Sequence, residues 1–245
     1  MTMNDAIRST ARRFGVDVRR YPQCDPSFQR AALLRRNDVD VVLDGGANSG
    51  QYAIALRRSG YTGRIMSYEP VKASFDRLLA ATAGDHGWTA YKIALGPTAG
   101  SSTINVAANN GASSSFLPML ESHIRAAPNA QYVSQEQVIM ATIDEVVAEN
   151  VKPDARMFLK LDVQGFEKAV LLGAQQTLPS LVGVELEMSF VPLYDGGMLY
   201  LEVFEWAASQ GFTLMLIDPM FTDPRTGQIL QADGVFIRDP RGVDG

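Results

Sequence analysis

Short apolar runs that end on an acidic residue or a glycine alternate along this chain with longer stretches whose apolar positions recur every three or four residues. Residues 39–43 (VDVVL) form such a run before Asp44 and a glycine pair, as a buried parallel strand does ahead of a tight turn. Residues 51–59 follow with helical spacing through Ala53, Ile54 and Leu56, and Gly60 is placed to end that helix. A second strand over 64–68 (RIMSY) ends at Glu69-Pro70, and 72–83 reads as a helix with Phe75, Leu78 and Leu79 on one face.

The alternation continues with strands over 89–95, 156–161 and 181–186, helices over 143–148, 166–172 and 198–210, and a β excursion at 103–106. Residues 213–217 and 234–238 are expected to pair as a terminal antiparallel unit. Such a pattern demands a mostly parallel sheet covered by helices on both faces. Residues 1–38 read as an N-terminal helical extension and 39–245 as one domain. Within it, 109–137, rich in Ser, Ala and Asn, breaks the alternation and reads as an insertion that shapes the substrate pocket.

Composition narrows the function classes. With 46% hydrophobic and 20% charged residues in a chain of 245, this is an ordinary globular protein, and no apolar run reaches the roughly 18 residues a membrane helix needs. No secretory-type apolar stretch opens the chain, so a cytoplasmic location is the expectation. A net charge of −5 opposes affinity based on phosphate neutralisation, which argues against nucleic acid as a partner. Arginines cluster at Arg12, Arg13, Arg19 and Arg20 and again at Arg30, Arg35 and Arg36, where a solvated helix face is the expectation. The single cysteine, Cys24, excludes an intrachain disulfide and reads as a semi-buried thiol; homo-oligomer formation stays open.

Candidate chemistry gathers at strand tips. Asp44-Gly45-Gly46-Ala47-Asn48-Ser49-Gly50 lies where a ligand crevice forms outside the carboxyl ends of parallel strands, with Gln51 opening the helix behind it. Glycines let the backbone approach a ligand, and the helix offers free N–H groups. The D-x-G-x-x-x-G spacing departs from the dinucleotide fingerprint G-x-G-x-x-G, and Asp44 suits an ammonium, as in the methionine moiety of S-adenosylmethionine, while repelling a pyrophosphate. Glu69 can accept both ribose hydroxyls of an adenosine, and Ala94, in Ile93-Ala94-Leu95, offers apolar and backbone contact to an adenine.

A second sharp signal is the apolar strand ending at Asp162 in Leu159-Lys160-Leu161-Asp162-Val163-Gln164-Gly165. Asp162 points into the same crevice, to orient a cofactor amino group, hold a divalent cation or contact a substrate hydroxyl. Glu167, early in the next helix, is accounted for equally well by the helix dipole. Glu185 and Glu187 stand at the end of the fifth strand, with only one of them, Glu187, expected near the crevice; with Asp162 it would make an oxygen-rich magnesium site. Of the two histidines, His86 reads as a turn residue and His123, inside the insertion, as the candidate base.

The blocks VLDGGANSGQYA, YEP at 68–70, IALG at 93–96 and LKLDVQGFEKAVLLGA, in this order between about residues 39 and 189, resemble the FkbM-type methyltransferases. The usual D-V/I-E-G of that family appears here as Asp162-Val163-Gln164-Gly165. The resemblance implies a class I methyltransferase fold: Rossmann-like, α/β, doubly wound, with a mostly parallel seven-stranded sheet and a C-terminal antiparallel strand pair. It further implies S-adenosylmethionine as methyl donor and O-methylation of a small-molecule or glycan acceptor: a hydroxyl of a sugar, glycolipid or polyketide-type product. The family often carries a Gly-x-Ser-Ser segment, matched at Gly111-Ala112-Ser113-Ser114, so Ser113, Ser114 and Ser115 are expected to line the acceptor pocket. Two rivals remain on sequence grounds: a NAD-dependent oxidoreductase on the same fold, and a non-catalytic cofactor-binding or partner-binding protein.

Overall fold

The apolar strand cores pair as parallel neighbours in the computed structural model, which describes residues 10–11, 13–15 and 25–238. Cys24, Arg12, Arg19 and Arg20 lie outside the described residues. The elements run α1 (Pro26–Arg36), β1 (Val41–Gly45), α2 (Gln51–Arg58), β2 (Arg64–Tyr68), α3 (Lys72–Ala81), β3 (Trp88–Tyr91), β4 (Ala94–Leu95) and β5 (Gly100–Ala107). Then come α4 (Glu121–Ala126), β6 (Tyr132–Ala141), α5 (Ile143–Asn150), β7 (Met157–Leu161), α6 (Glu167–Leu172), β8 (Leu181–Ser189), α7 (Tyr200–Ser209), β9 (Phe212–Thr222) and β10 (Ile229–Arg238).

Seven strands form one sheet in the order β3-β2-β1-β7-β8-β10-β9. All neighbours are parallel up to β8, and β10 runs antiparallel to both β8 and β9. This is the expected doubly wound sheet with its antiparallel end. Strand side chains alternate between two cores. Val41 and Leu43 of β1, with Leu159 and Leu161 of β7, pack under α5, α6 and α7. Val42 and Phe158 face the other way, against Ala31 and Leu34 of α1, Ala53 and Leu56 of α2, and Leu78 of α3.

Local signals explain several boundaries. Asp25 accepts a hydrogen bond from the Ser27 amide ahead of Pro26, which starts α1, and Thr142 with Glu145 forms a capping box that starts α5. Gly173 ends α6, and its missing side chain lets the chain lie against the Gly96 carbonyl.

The chain departs from expectation between residues 89 and 141. The strand expected over 89–95 is two: β3 ends the large sheet, and β4 turns away to pair with Met140 and Ala141 of β6. The β excursion at 103–106 is the eight-residue β5, antiparallel to β6. Residues 109–137 therefore belong in part to a separate three-stranded sheet, β4-β6-β5. Its strands are half exposed and polar on one side, which disguises their period. Among the described residues no helix is long and apolar enough to cross a membrane.

Candidate active site

The strand order reverses direction between β1 and β7, and at such a switch point the connections diverge and leave a crevice at the carboxyl ends. The two tips are tied by the Asp162 amide, which donates to the Gly45 carbonyl at 3.1 Å. A cavity of about 440 Å³ opens there, within the ~300–1,000 Å³ typical of small-molecule and cofactor sites.

Of the residues expected to bind a cofactor, Gly46, Asn48, Gln51, Glu69, Ala94 and Asp162 all line this cavity. Gly46 adopts φ +73°, and a Cβ there would fall on the Asp162 carbonyl oxygen, so only glycine lets the two strand tips approach. Asn48 is also left-handed, and its amide donates to Glu69 Oε2 at 2.9 Å while the Val71 amide donates to Oε1 at 2.8 Å. These bonds hold the Glu69 carboxylate at the cavity wall. Burial is the larger influence and pushes its pKa up to about 7, against the pull of both amides.

Gly50 and Asp44 stand one layer back. Gly50, at φ +88°, packs under the Trp88 ring and does not line the cavity. Asp44 is fully buried, accepts from Ser67 Oγ at 2.8 Å and lies 3.4 Å from Lys160 Nζ. Asp44, expected to meet a ligand ammonium directly or through water, has an ammonium of the chain itself beside it.

Lys160 is not among the residues nominated from the sequence, although a lysine inside an apolar strand is a visible signal. It lines the cavity, with Nζ 3.3 Å from the Gly46 carbonyl and 3.6 Å from Asp162 Oδ2. Burial disfavours its charge, but Asp162 and Asp44 outweigh that and hold the ammonium protonated. Strand register creates this arrangement: Ser67, Asp44, Lys160 and Glu185 are successive cross-strand partners on β2, β1, β7 and β8.

The acidic end of the row meets α1. Arg30 bonds Glu185 and reaches Asp218 at 3.0 Å and Asp233 at 3.2 Å, while the Tyr52 hydroxyl donates to Glu185 Oε2 at 2.7 Å. Arg30, expected on a solvated face, is instead buried at the cavity edge. Asp218 and Asp233 pair across β9 and β10, and Asp233 pairs with Glu187 on β8, so the guanidinium offsets repulsion between carboxylates brought together by register.

Glu185 and Glu187, two residues apart, share one face of β8; the expectation that only one would face this side is corrected by the period of two. Glu187 does not line the cavity, and both its oxygens accept from Gln164 Nε2, at 3.2 and 3.1 Å. The same nitrogen donates to Asp162 Oδ1 at 2.7 Å. An amide therefore occupies the position between the two carboxylates where magnesium was expected. Among the described residues no group of three or more His, Cys, Asp or Glu side chains is arranged to hold a metal. The magnesium expectation is set aside on that donor set.

The insertion divides its expected residues. Ser114 lines the cavity. Ser113 and Ser115 are buried behind it, where Ser113 Oγ accepts from Asn109 and Ser115 Oγ donates to the Gln164 carbonyl at 2.8 Å. Ser115 fastens the segment to the Asp162–Gly165 turn, and Ser113 braces the segment internally. His123 also lies away from the cavity lining, packed between Tyr194 and Phe221 with Nε2 3.5 Å from Ser113 Oγ.

Burial lowers the His123 pKa to about 4. The folded pKa lies below the unfolded one, so this residue's contribution to stability is present above pH ~6.5 and is lost as pH falls toward 4. Relative to a His123→Phe variant, wild type is expected to lose up to about 3 kcal/mol between pH 7 and 4. Urea titrations of both proteins at each pH check this, and a pH-independent difference would refute it.

A glycine turn backed by a buried Asp–Lys pair, a carboxylate at the second strand tip and an aspartate at the β7 tip thus border one cavity, without the glycine fingerprint of a pyrophosphate site. The methyltransferase FkbM domain model matches residues 44–214. The chain is similar in fold to the methyltransferase FkbM from Methylobacillus flagellatus KT, at 15% identity and a TM-score of 0.51 over 86% of this chain; it spans about half of that protein, 48% of its length. A TehB-like SAM-dependent methyltransferase from Corynebacterium glutamicum is more distant, at 11% identity and a TM-score of 0.41 over 96% of each chain. The curated proteins offer no match. The matched region runs from Asp44 through both sharp motifs into β9, and on that ground the chain belongs to the FkbM methyltransferase family and has the class I methyltransferase fold.

Proposed function

We propose that the chain transfers a methyl group from S-adenosylmethionine to a hydroxyl oxygen of a sugar, glycolipid or polyketide-type acceptor. The observation that supports this best is the meeting of Gly46, Asn48, Gln51, Glu69, Ala94 and Asp162, from separate strand tips, on one cavity. The residues present fit the donor. The buried Glu69 carboxylate, raised to about 7, gains from hydroxyl donors such as those of a ribose. Ala94, Leu95 and Val71 offer an apolar wall for an adenine, and Asp162 offers a carboxylate to an ammonium.

Bound S-adenosylmethionine would supply an electrophilic methyl on a sulfonium, which needs no further activation. The chain's contribution is alignment of the acceptor oxygen and exclusion of water, the main sources of rate for such a transfer. Ser114, Phe116, Ile104 and Met220 line the part of the cavity assigned to the acceptor, and Asp162 is assigned the hydroxyl proton. His123 has no place in this assignment, because it lies outside the cavity lining. The unit from residue 39 onward would be the catalytic domain, with 109–137 closing the acceptor side.

Calorimetric titration with S-adenosylmethionine, S-adenosylhomocysteine and NAD tests the reading. Selective binding of the two sulfur nucleosides is expected, weakened at least tenfold by Glu69→Ala. Ligand hydroxyls stabilise the charged form of Glu69, so its pKa falls on binding, and affinity is expected to drop by up to about tenfold per unit as pH falls below 7. NAD preference or absent binding would overturn the proposal. Mass-spectrometric detection of methylated sugars then tests the acceptor class.

A further inference from the structure

Gln164 stands where the family resemblance leads one to expect a glutamate, and its surroundings assign every polar atom of its side chain. The residue adopts φ +56° and is 9% exposed, so the turn aims the amide inward. The Tyr194 hydroxyl donates to Gln164 Oε1 at 2.6 Å. The acidic side chains at the other end take the amide N–H groups, at 2.7 Å for Asp162 and 3.1 Å for Glu187, which leaves the carbonyl for the tyrosine hydroxyl. A flipped amide would set its oxygen against two carboxylates.

Tyr194 is itself fixed. It packs against Gly165, where a Cβ would come within 2.9 Å of the tyrosine Cβ, and the His123 ring lies edge-on to it with centroids 5.2 Å apart. Asp162 is the more exposed member, with 36% of its side chain accessible, and without the Gln164 bond its carboxylate has further rotamers open to it.

We propose that Gln164 is a positioning residue for the proposed methyl-transfer site: its amide, oriented by the Tyr194 hydroxyl, ties Asp162 to Glu187 and sets the rotamer in which Asp162 faces the cavity. From one position the amide donates to both acidic side chains, of which Glu187 has its pKa pushed up by burial and by neighbouring Asp162. This inference rests on the reading of Asp162 as a ligand-facing residue.

Tyr194 and Asp162 share no hydrogen bond, and Gln164 is the side chain that bonds both, so Gln164→Met removes the bridge while leaving both ends in place. The test is a double-variant cycle on S-adenosylhomocysteine binding with Asp162→Ala, Tyr194→Phe and the pair, and with thermal melting to register folding. Tyr194→Phe keeps the ring and its packing. Asp162→Ala is expected to weaken binding at least tenfold and Tyr194→Phe three- to tenfold, while the pair binds no more weakly than Asp162→Ala alone. Gln164→Met, which keeps the bulk and removes the tie, is expected to match Tyr194→Phe or exceed it. Additive losses, or no loss in Tyr194→Phe and Gln164→Met, would overturn the positioning role and leave the methyl-donor reading standing. Wild type that fails to bind the nucleoside would overturn both.

Discussion

Replacing Lys160 by methionine is expected to destabilise the protein by about 3–5 kcal/mol, the cost of leaving a buried charge without its partner. Lys160 is 5% exposed, and its ammonium is the cation beside the fully buried Asp44, at 3.4 Å, and beside Asp162, at 3.6 Å. Asp44 Oδ1 has no hydrogen-bond partner, so the ammonium is what stabilises the charge on that oxygen. Methionine would keep most of the packing against Tyr52, whose ring lies 5.4 Å from the ammonium, and would remove only the charge. The loss should therefore be reversed in large part by adding Asp44→Asn, which can still accept from Ser67. Equilibrium urea unfolding of the two single variants and the pair measures this. A Lys160→Met protein as stable as wild type, or a pair no better than the single variant, would show that the buried pair carries little.

The second large effect concerns ligand binding. Gly46→Ala should lower affinity for S-adenosylhomocysteine at least a hundredfold. The left-handed backbone at φ +73° costs a residue with a Cβ about 1–2 kcal/mol by itself. The greater problem is the Asp162 carbonyl, which occupies the place of the added carbon. The β1 and β7 tips would have to separate, carrying Asn48 away from Glu69 and Asp162 away from the cavity. Gly84→Ala is a suitable control: it also has positive φ, at +85°, yet a Cβ there meets nothing within 4 Å. It should reduce stability modestly and leave binding unchanged. Calorimetry on both variants separates backbone strain from the close approach, and equal affinities would refute the argument.

Much of the fold was legible because burial imposes period. Strands covered on both faces must be continuously apolar, and helices packed on a sheet must repeat every three or four residues, so β1, β2, β7 and β8 and the helices between them stand out in the chain. The small sheet was less legible. β5 and β6 are half exposed, and serine, threonine and glutamine occupy many of their outer positions, which makes a strand read as a loop. The three-strand grouping of β4, β6 and β5 also depends on pairings over 40 residues apart, which no local pattern records.

The candidate site divides along the same line. Strand tips are where polar residues interrupt apolar runs, and the glycine turn requires specific backbone angles, so Gly46, Asn48, Glu69 and Asp162 could be nominated from local sequence alone. What each tip faces depends on the neighbouring strands. Register sets Lys160 beside Asp44 and withdraws that aspartate from the cavity. Register also gathers Glu187, Asp233 and Asp218 into one acidic line, and α1 carries Arg30 to it. His123 shows the limit from the other side: its spacing after a serine run suited a base, but packing placed the ring between Tyr194 and Phe221. The sequence by itself determined which residues end strands and turn the chain, because hydrophobic period and backbone sterics act over a few residues. Only the tertiary structure decided which of those residues meet a ligand and which meet each other, because that choice is made by strand register and packing between segments distant in the chain.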